Sequence, residues 1–303
     1  MSINLAQIKS LLVPGLYTLT GKYPSIETQW SKVFDVKKST LTTEVSAQMR
    51  YFGLAALKQE GGPTTFDNNA GQRFTYNATT NEVGLGFSIT RKAIDDNQYK
   101  SQFSPNVKGL MDSFKEFKEY QASDVFNSGQ TYNSAIGGDG KALFATDHPV
   151  DGGTIANTFT TQQQLNETSL IQAYTNIRTT FLDEAGLKRK FRAKKLIVHP
   201  YNLPTAVRLV DTYLRPGTAN NDVNVIPMQD GGVKEYFGWD YLTSNYYWFL
   251  TTTVDSFIMF QRVGFESDMH TDFTTQNLLT TGYERYIPTY NDWRGAWGSF
   301  PSS

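Results

Sequence analysis

Three histidines are the first residues to test for chemistry, since a neutral imidazole can serve as a base or a metal ligand. His148, His199 and His270 lie far apart in the chain, and none belongs to a two-histidine motif with metal spacing. His148 stands in Asp147-His148-Pro149, where the neighbouring aspartate can orient it as a general base. A hydrolase centred on His148 needs a nucleophile, yet the sequence has no Gly-x-Ser-x-Gly elbow to supply one. The competing reading of His148 is a structural loop histidine. Asp95-Asp96 is an adjacent carboxylate pair, but in a polar connector such pairs cap or face solvent more often than they catalyse. Gly137-Gly138-Asp139-Gly140-Lys141 has the outline of a phosphate loop. It fails at both ends: Ala135 replaces the leading glycine, and Ala142 replaces the magnesium-binding Ser or Thr. The absence of cysteine excludes a disulfide framework, a thiolate metal site and a cysteine nucleophile. The expectation is a protein with no catalytic residue, no cofactor and no metal.

The chain of 303 residues is long enough for a substantial core and two subdomains. Its composition, 39% hydrophobic, 19% charged and 14% aromatic, fits a folded protein rich in half-buried strands. A net charge of −1 leaves no basic footprint for nucleic-acid phosphates. No basic segment followed by a sustained apolar run marks a secretory signal, and no apolar stretch approaches the ~20 residues of a membrane span. A soluble protein made in a reducing cytoplasm is the expectation.

The elements that would position these residues centre on Ser104–Gly129. Ser104 and Pro105 read as a helix start, Gly129 as its stop, and Val107, Leu110, Phe114 and Phe117 as a buried stripe widened by Met111 and Val125. Lys115 and Glu119 read as a wetter face of the same helix. Before it, residues 1–45 show no sustained periodicity: an arm that packs on something else, or a meandering N-terminus. Residues 46–90 read as a β excursion. Its clearest strand is Glu82–Thr90, with bulky Val83, Leu85, Phe87 and Ile89 alternating with small residues, as if another backbone or element lay close against the small face. Gln59–Gly71 is full of turn formers, which suggests a long hairpin with a flexible tip; such a hairpin needs a partner surface, from the same chain or a neighbouring one. A second helix is expected over Glu167–Ala185, then the basic run Lys188 to Lys195, a strand at Leu196–Val198 and a third helix after Pro200. The basic run reads as a solvated or intersubunit loop in preference to a nucleic-acid contact. Strands are expected at Val223–Ile226, Tyr236–Leu242, Tyr246–Leu250 and Phe257–Phe260. The aromatics Tyr283, Tyr286, Tyr290, Trp293 and Trp297 would then form a sheet face covering the long helix.

The stretch Gly138-Asp139-Gly140-Lys141-Ala142-Leu143-Phe144-Ala145-Thr146-Asp147-His148-Pro149, followed by Asn157-Thr158, resembles a signature loop of Mu-like and related tailed-phage major capsid proteins. Lys195-Leu196-Ile197-Val198-His199-Pro200 resembles the next block of that family, and Trp248-Phe249-Leu250 and Arg294-Gly295-Ala296-Trp297-Gly298 are weaker echoes. The resemblance implies an α+β chain with the Hong Kong 97-like capsid fold. Residues 1–45 would be the N-terminal arm, 46–90 the extended E-loop hairpin, and 91–149 a peripheral domain built on the spine helix. Residues 150–255 would be an α/β axial domain, and 256–303 would return as strands of the peripheral domain.

The function so implied is a major capsid protein that self-assembles into hexamers and pentamers of an icosahedral phage head around double-stranded DNA. Partners would be other copies of itself, a portal and a separate scaffolding protein, since the chain begins almost at the arm and leaves no room for a scaffolding segment. DNA would be held only non-specifically, and no membrane would be involved. The place of action would be the virion, after assembly in the bacterial host cytoplasm. Some members of the family crosslink Lys to Asn; Lys58 lies in the right region, but no acceptor environment is evident and the bond is not predicted. Lys58, Glu60 and Arg73 are the expected intersubunit contacts of the E-loop. Gly109, costing ~1 kcal/mol relative to Ala inside a helix, is either a bend point of the spine or a concession to a packed aromatic. The rival readings are a tube- or sheath-forming phage structural protein, an encapsulin-type compartment shell, and the His148 hydrolase.

Overall fold

The computed structural model describes residues 28–302 except 69, 97–98, 213–222 and 229–231. The expectations for the first 27 residues of the arm lie outside the described residues. After a turn of 3-10 helix at Trp30–Lys32, the chain forms β1 (Asp35–Lys38), β2 (Thr43–Arg50), β3 (Gly71–Thr79) and β4 (Asn81–Ile89). Two helices follow, α1 (Arg91–Asp95) and α2 (Tyr99–Asn127), then the short strands β5 (His148–Val150) and β6 (Gly153–Ile155). The next part comprises α3 (Glu167–Thr179), β7 (Ala193–Val198), α4 (Leu203–Val210), β8 (Glu235–Gly238) and β9 (Trp248–Thr252). The chain closes with β10 (Phe257–Thr271), β11 (Leu278–Tyr290) and β12 (Ala296–Ser299).

The helix α2 is the longest element, 29 residues and so about 43 Å. It starts five residues before the expected cap, so Ser104 and Pro105 lie inside it. Its inward positions are Val107, Leu110, Phe114, Ala122, Val125 and Phe126. Phe117, expected on this stripe, is exposed; successive steps of four from Leu110 put Lys118 inward instead. Lys118 is accommodated there by an ion pair with the buried Glu284 and by the Tyr286 ring, 4.5 Å from its ammonium. Glu119, expected on the wet face, is also buried. It accepts from the amides of Gln29 (2.5 Å) and Trp30 (3.1 Å) and from the Trp239 indole (3.0 Å).

A four-stranded sheet, ordered β1-β10-β11-β4, lies against α2. Gly282 of β11 makes that approach possible, since a Cβ there would stand 2.8 Å from the Phe114 ring. Val83, Phe87 and Ile89 of β4 turn toward the protein, while its small face (Gly84, Gly86, Ser88) is exposed. The expected close backbone is that of β11 in the same sheet: a Cβ on Gly86 would stand 2.7 Å from the Thr280 carbonyl oxygen. The second sheet, ordered β12-β9-β7-β8, has a core on each side. Leu196, Val198, Trp248 and Leu250 face one cluster with α3 and α4, while Ile197 and Phe249 face another with Phe126 of α2. Strands buried on both faces lose the alternating polar pattern, which is why β7 and β9 read as plain apolar runs.

Other expectations shift at the boundaries. The helix α3 ends at Thr179 and not near Ala185, and Asn166 and Ser169 form a capping box at its start. Val223–Ile226 forms no strand; Asn224 instead donates to the carbonyls of Leu209 and Thr212. Tyr286 and Tyr290 do pack with the C-terminal half of α2. Trp293 and Trp297 do not: they join the cluster around α3, and β12 pairs with β9 in the second sheet. The expected hairpin is β2 with β3, paired from Thr43↔Thr79 to Arg50↔Gly71. The alternating strand β4 lies outside that hairpin and pairs with β11.

Candidate assembly surface

Among the described residues, the hairpin tip gathers several exposed large apolar side chains. Tyr51, Phe52, Leu54, Leu57 and Phe66 are all exposed, Leu57 completely so. Lys58 and Glu60 stand exposed among them. Five large apolar side chains left uncovered in one short segment call for a partner surface, and a two-stranded ribbon is marginal without one. Arg73 is placed differently from its two companions. It pairs with Glu184 of the same chain and also donates to the Glu184 carbonyl at 3.2 Å. Arg50 pairs in the same way with Asp151.

The loop of 138–149 is anchored by a buried polar cluster. Asn157, fully buried, donates through Nδ2 to the carbonyls of Leu143 (2.7 Å), Trp293 (3.2 Å) and Ala296 (3.3 Å). Those donors fix the amide's orientation, so Oδ1 accepts from the Ala145 amide (3.0 Å) and faces His148 Nε2 at 3.1 Å. His148 Nδ1 faces Asp139 at 2.6 Å, and the imidazole stacks on Trp293 at 4.2 Å. With both nitrogens engaged and no exposed surface, His148 has nothing to offer a substrate. Asp147, expected to orient it, pairs instead with Lys141. The lysine holds the Asp147 carboxyl below its ordinary range. The apparent phosphate loop also has another explanation. A Cβ on Gly137 would stand 2.1 Å from the Tyr290 ring, and one on Gly138 would stand 3.0 Å from Tyr76. These glycines make room for aromatic rings.

The remaining candidates are dispersed. His199 accepts from the Tyr201 amide at 3.1 Å, capping the turn at Pro200–Asn202, and His270 is exposed on β10. Asp95 and Asp96 are exposed, the first 3.7 Å from Arg91. The basic run is divided among carboxylates: Arg189 bonds Asp183, Lys194 approaches Asp255 and Lys195 approaches Glu235. Among the described residues no group of three His, Asp or Glu converges on a metal position, and no helix is long and apolar enough to cross a membrane. Gly109 is exposed, and a Cβ there would meet nothing within 4 Å. Among the described residues, no packed aromatic accounts for Gly109.

Two hubs escaped the sequence reading. Phe126 touches the rings of Phe34, Phe144, Trp239, Phe249 and Phe257, joining five separate parts of the chain. Glu184 joins two arginines, Arg73 and the buried Arg294. Phe126 fits the helical stripe by its spacing of four from Ala122 and was legible in principle. Glu184 carried no local signal.

The family described as phage capsid protein matches residues 73–298, about three quarters of the chain. The chain belongs to that family. No curated protein matches it in sequence. The capsid protein resembles in fold the procapsid subunit of bacteriophage JBD30, with 12% identity, TM-score 0.54, and 99% of this chain and 77% of that one covered. It also resembles the capsid subunit of the native GTA particle, at 8% identity and TM-score 0.59, covering 92% and 93% of the two chains. Microbacterium phage Oxtober96 gives 11% identity and TM-score 0.54, with 93% of each chain covered. The α+β arrangement is thus the Hong Kong 97-like capsid fold. The capsid protein is a major capsid protein, the self-assembling subunit of an icosahedral phage capsid and a component of the virion. The tube, sheath and encapsulin readings are not favoured by this match.

Proposed function

We propose that the capsid protein assembles as hexamers and pentamers of a Mu-like head that encloses double-stranded DNA, with the β2–β3 hairpin as its reach onto the neighbouring subunit. The observation that carries this reading is the hairpin tip: Leu54, Leu57 and Phe66 are uncovered apolar side chains on a ribbon too slight to stand in water alone. A neighbour's surface covering them would remove that cost once per subunit, and closed symmetry multiplies the gain. Lys58 and Glu60 are placed to add directional polar contacts at the same surface. The proposed division into arm, hairpin, peripheral domain and axial domain keeps the boundaries given above with two changes: the hairpin is β2 and β3 alone, since β4 pairs with β11, and β12 goes with β9. A portal, a separate scaffolding protein and assembly in the bacterial host cytoplasm belong to the same proposal. The near-neutral chain suits DNA held without strong affinity.

The test is electron microscopy of the expressed protein with and without Leu57→Asp and Phe66→Asp. Closed shells or capsomers are expected from the parent, and unassembled but folded subunits from the double variant. Tubes from the parent, or normal shells from the variant, would overturn the reading.

A further inference from the structure

The hairpin is attached to the rest of the subunit in two chemically different ways. At its base Tyr76 and Ala78 bury against Ile287. Further out, no strand of the hairpin pairs with either large sheet, and the attachments are polar. Gln48 donates to Glu184 Oε1 (2.8 Å), Arg50 pairs with Asp151, Arg73 pairs with Glu184 Oε2, and the Arg189 guanidinium lies over the Tyr51 ring at 5.6 Å.

The Arg73 contact is built into the backbone. The β2–β3 register runs Gln48↔Phe74 and then Met49↔Gln72, so Arg73 is the extra residue of a β-bulge. A bulge interrupts the ladder and re-aims a side chain; here the arginine reaches Glu184. That carboxylate is already held from the other side. Arg294, almost fully buried, donates to Glu184 Oε1 (2.6 Å), the Leu182 carbonyl (2.6 Å) and Asp292 (3.0 Å), and stacks over Trp293 at 4.3 Å. Glu184 is therefore fixed to the body by Arg294, while its partnership with Arg73 and Gln48 crosses to the hairpin. The two partners differ in exposure: the Arg294 side chain is 2% accessible and that of Arg73 is 21%. Solvent can take over from Glu184 at Arg73, so the hairpin side of the pair is the side that can open at low cost.

We propose that Glu184 is a latch that sets the angle at which the hairpin leaves the subunit. Closed, the bulged Arg73 and Gln48 hold the ribbon in one orientation. Open, the ribbon hinges on the Tyr76–Ala78–Ile287 contact, and the Glu184–Arg294 pair keeps the body intact. The inference concerns a single subunit and stands independently of which surface the tip meets.

The absence of native cysteine allows spin labels at only two introduced positions, Thr65→Cys on the tip and Glu116→Cys on α2, both exposed. Distances between them are measured by pulsed electron paramagnetic resonance in the full-length, unassembled subunit. The parent should give one narrow distribution. Arg73→Gln should widen it about twofold as the ribbon samples further orientations, and Arg73→Lys should narrow it again in part, since a point charge replaces the fork. An unchanged distribution in Arg73→Gln, or a broad one already in the parent, overturns the latch. If Arg73→Gln does not fold, Gln48→Ala removes one hydrogen bond from the same carboxylate and must broaden the distribution in the same direction.

Discussion

At the scale of single residues, the capsid protein uses its polar side chains as ties between distant segments. Asn157 joins the 138–149 loop to the 293–296 segment through one amide. Asn157→Ala would leave three carbonyls, an amide and an imidazole nitrogen without that partner. Each buried orphan costs about 1–3 kcal/mol, so the variant should lose at least about 3 kcal/mol in denaturant unfolding of the unassembled subunit. Asp183 gives a pH-dependent counterpart. Burial raises its carboxyl, but the amides of Leu187 and Ala185 and the Arg189 guanidinium outweigh burial and leave it below the ordinary range. A lowered native carboxyl stabilises the fold above the unfolded value of about 4 and loses that contribution as pH falls through the native value. The stability gap between the parent and Asp183→Asn should therefore shrink on acidification below about pH 4. A constant gap across that range would contradict the assignment. Little at this scale was legible beforehand. The sequence drew attention to His148 and the glycines at 137–138 without assigning them chemistry, and only their neighbours show what they do, as packing and hydrogen-bonding positions.

At the scale of elements, α2 was legible because a 3.6-residue period survives even where two inward positions, Lys118 and Glu119, are charged. Its errors have a common cause. Glu119 falls on the inward face by geometry, yet its charge made it look wet, and the inward place expected for Phe117 is held by the charged Lys118; Glu284 and the Gln29, Trp30 and Trp239 donors make the burial of these two charges tolerable. Gly109 gains weight as a bend point now that no ring among the described residues packs against it. Gly109→Ala adds a methyl into open space and should stabilise the free subunit by up to about 1 kcal/mol. It should also retard the procapsid-to-mature transition if that step bends the helix. Expansion at the parental rate, followed by scattering or microscopy, would remove Gly109 from the mechanism. The hairpin was half legible: its turn-rich tip was evident, but β4 was read as part of the same β excursion. Both follow a period of two, and nothing local tells which strand β4 will pair with.

At the scale of the whole molecule, the second sheet is the junction. One of its faces meets α3 and α4, the other meets Phe126 of α2, and β12 brings the C-terminus back into it. The long helix, the axial part and the closing segment are thereby parts of one buried framework, with the hairpin as the part held chiefly by polar contacts. That contrast matters for a shell subunit. A framework with cores on both sides of its sheet keeps its shape, while a ribbon on ion pairs can change its angle without unfolding anything.

The sequence by itself determined the α+β class, the long helix, the turn-rich hairpin tip and the family, because apolar periodicity and the blocks around 138–149 and 195–200 are local patterns. Tertiary structure alone decided what those blocks are for. Gly137 and Gly138 face aromatic rings, Asn157 gathers carbonyls from 136 and 139 residues away, and Glu184 lies between two arginines 111 residues before it and 110 after it. A polar side chain's partner depends on where distant strands cross, and that crossing is set by the packing of the whole core, not by the residues on either side of it.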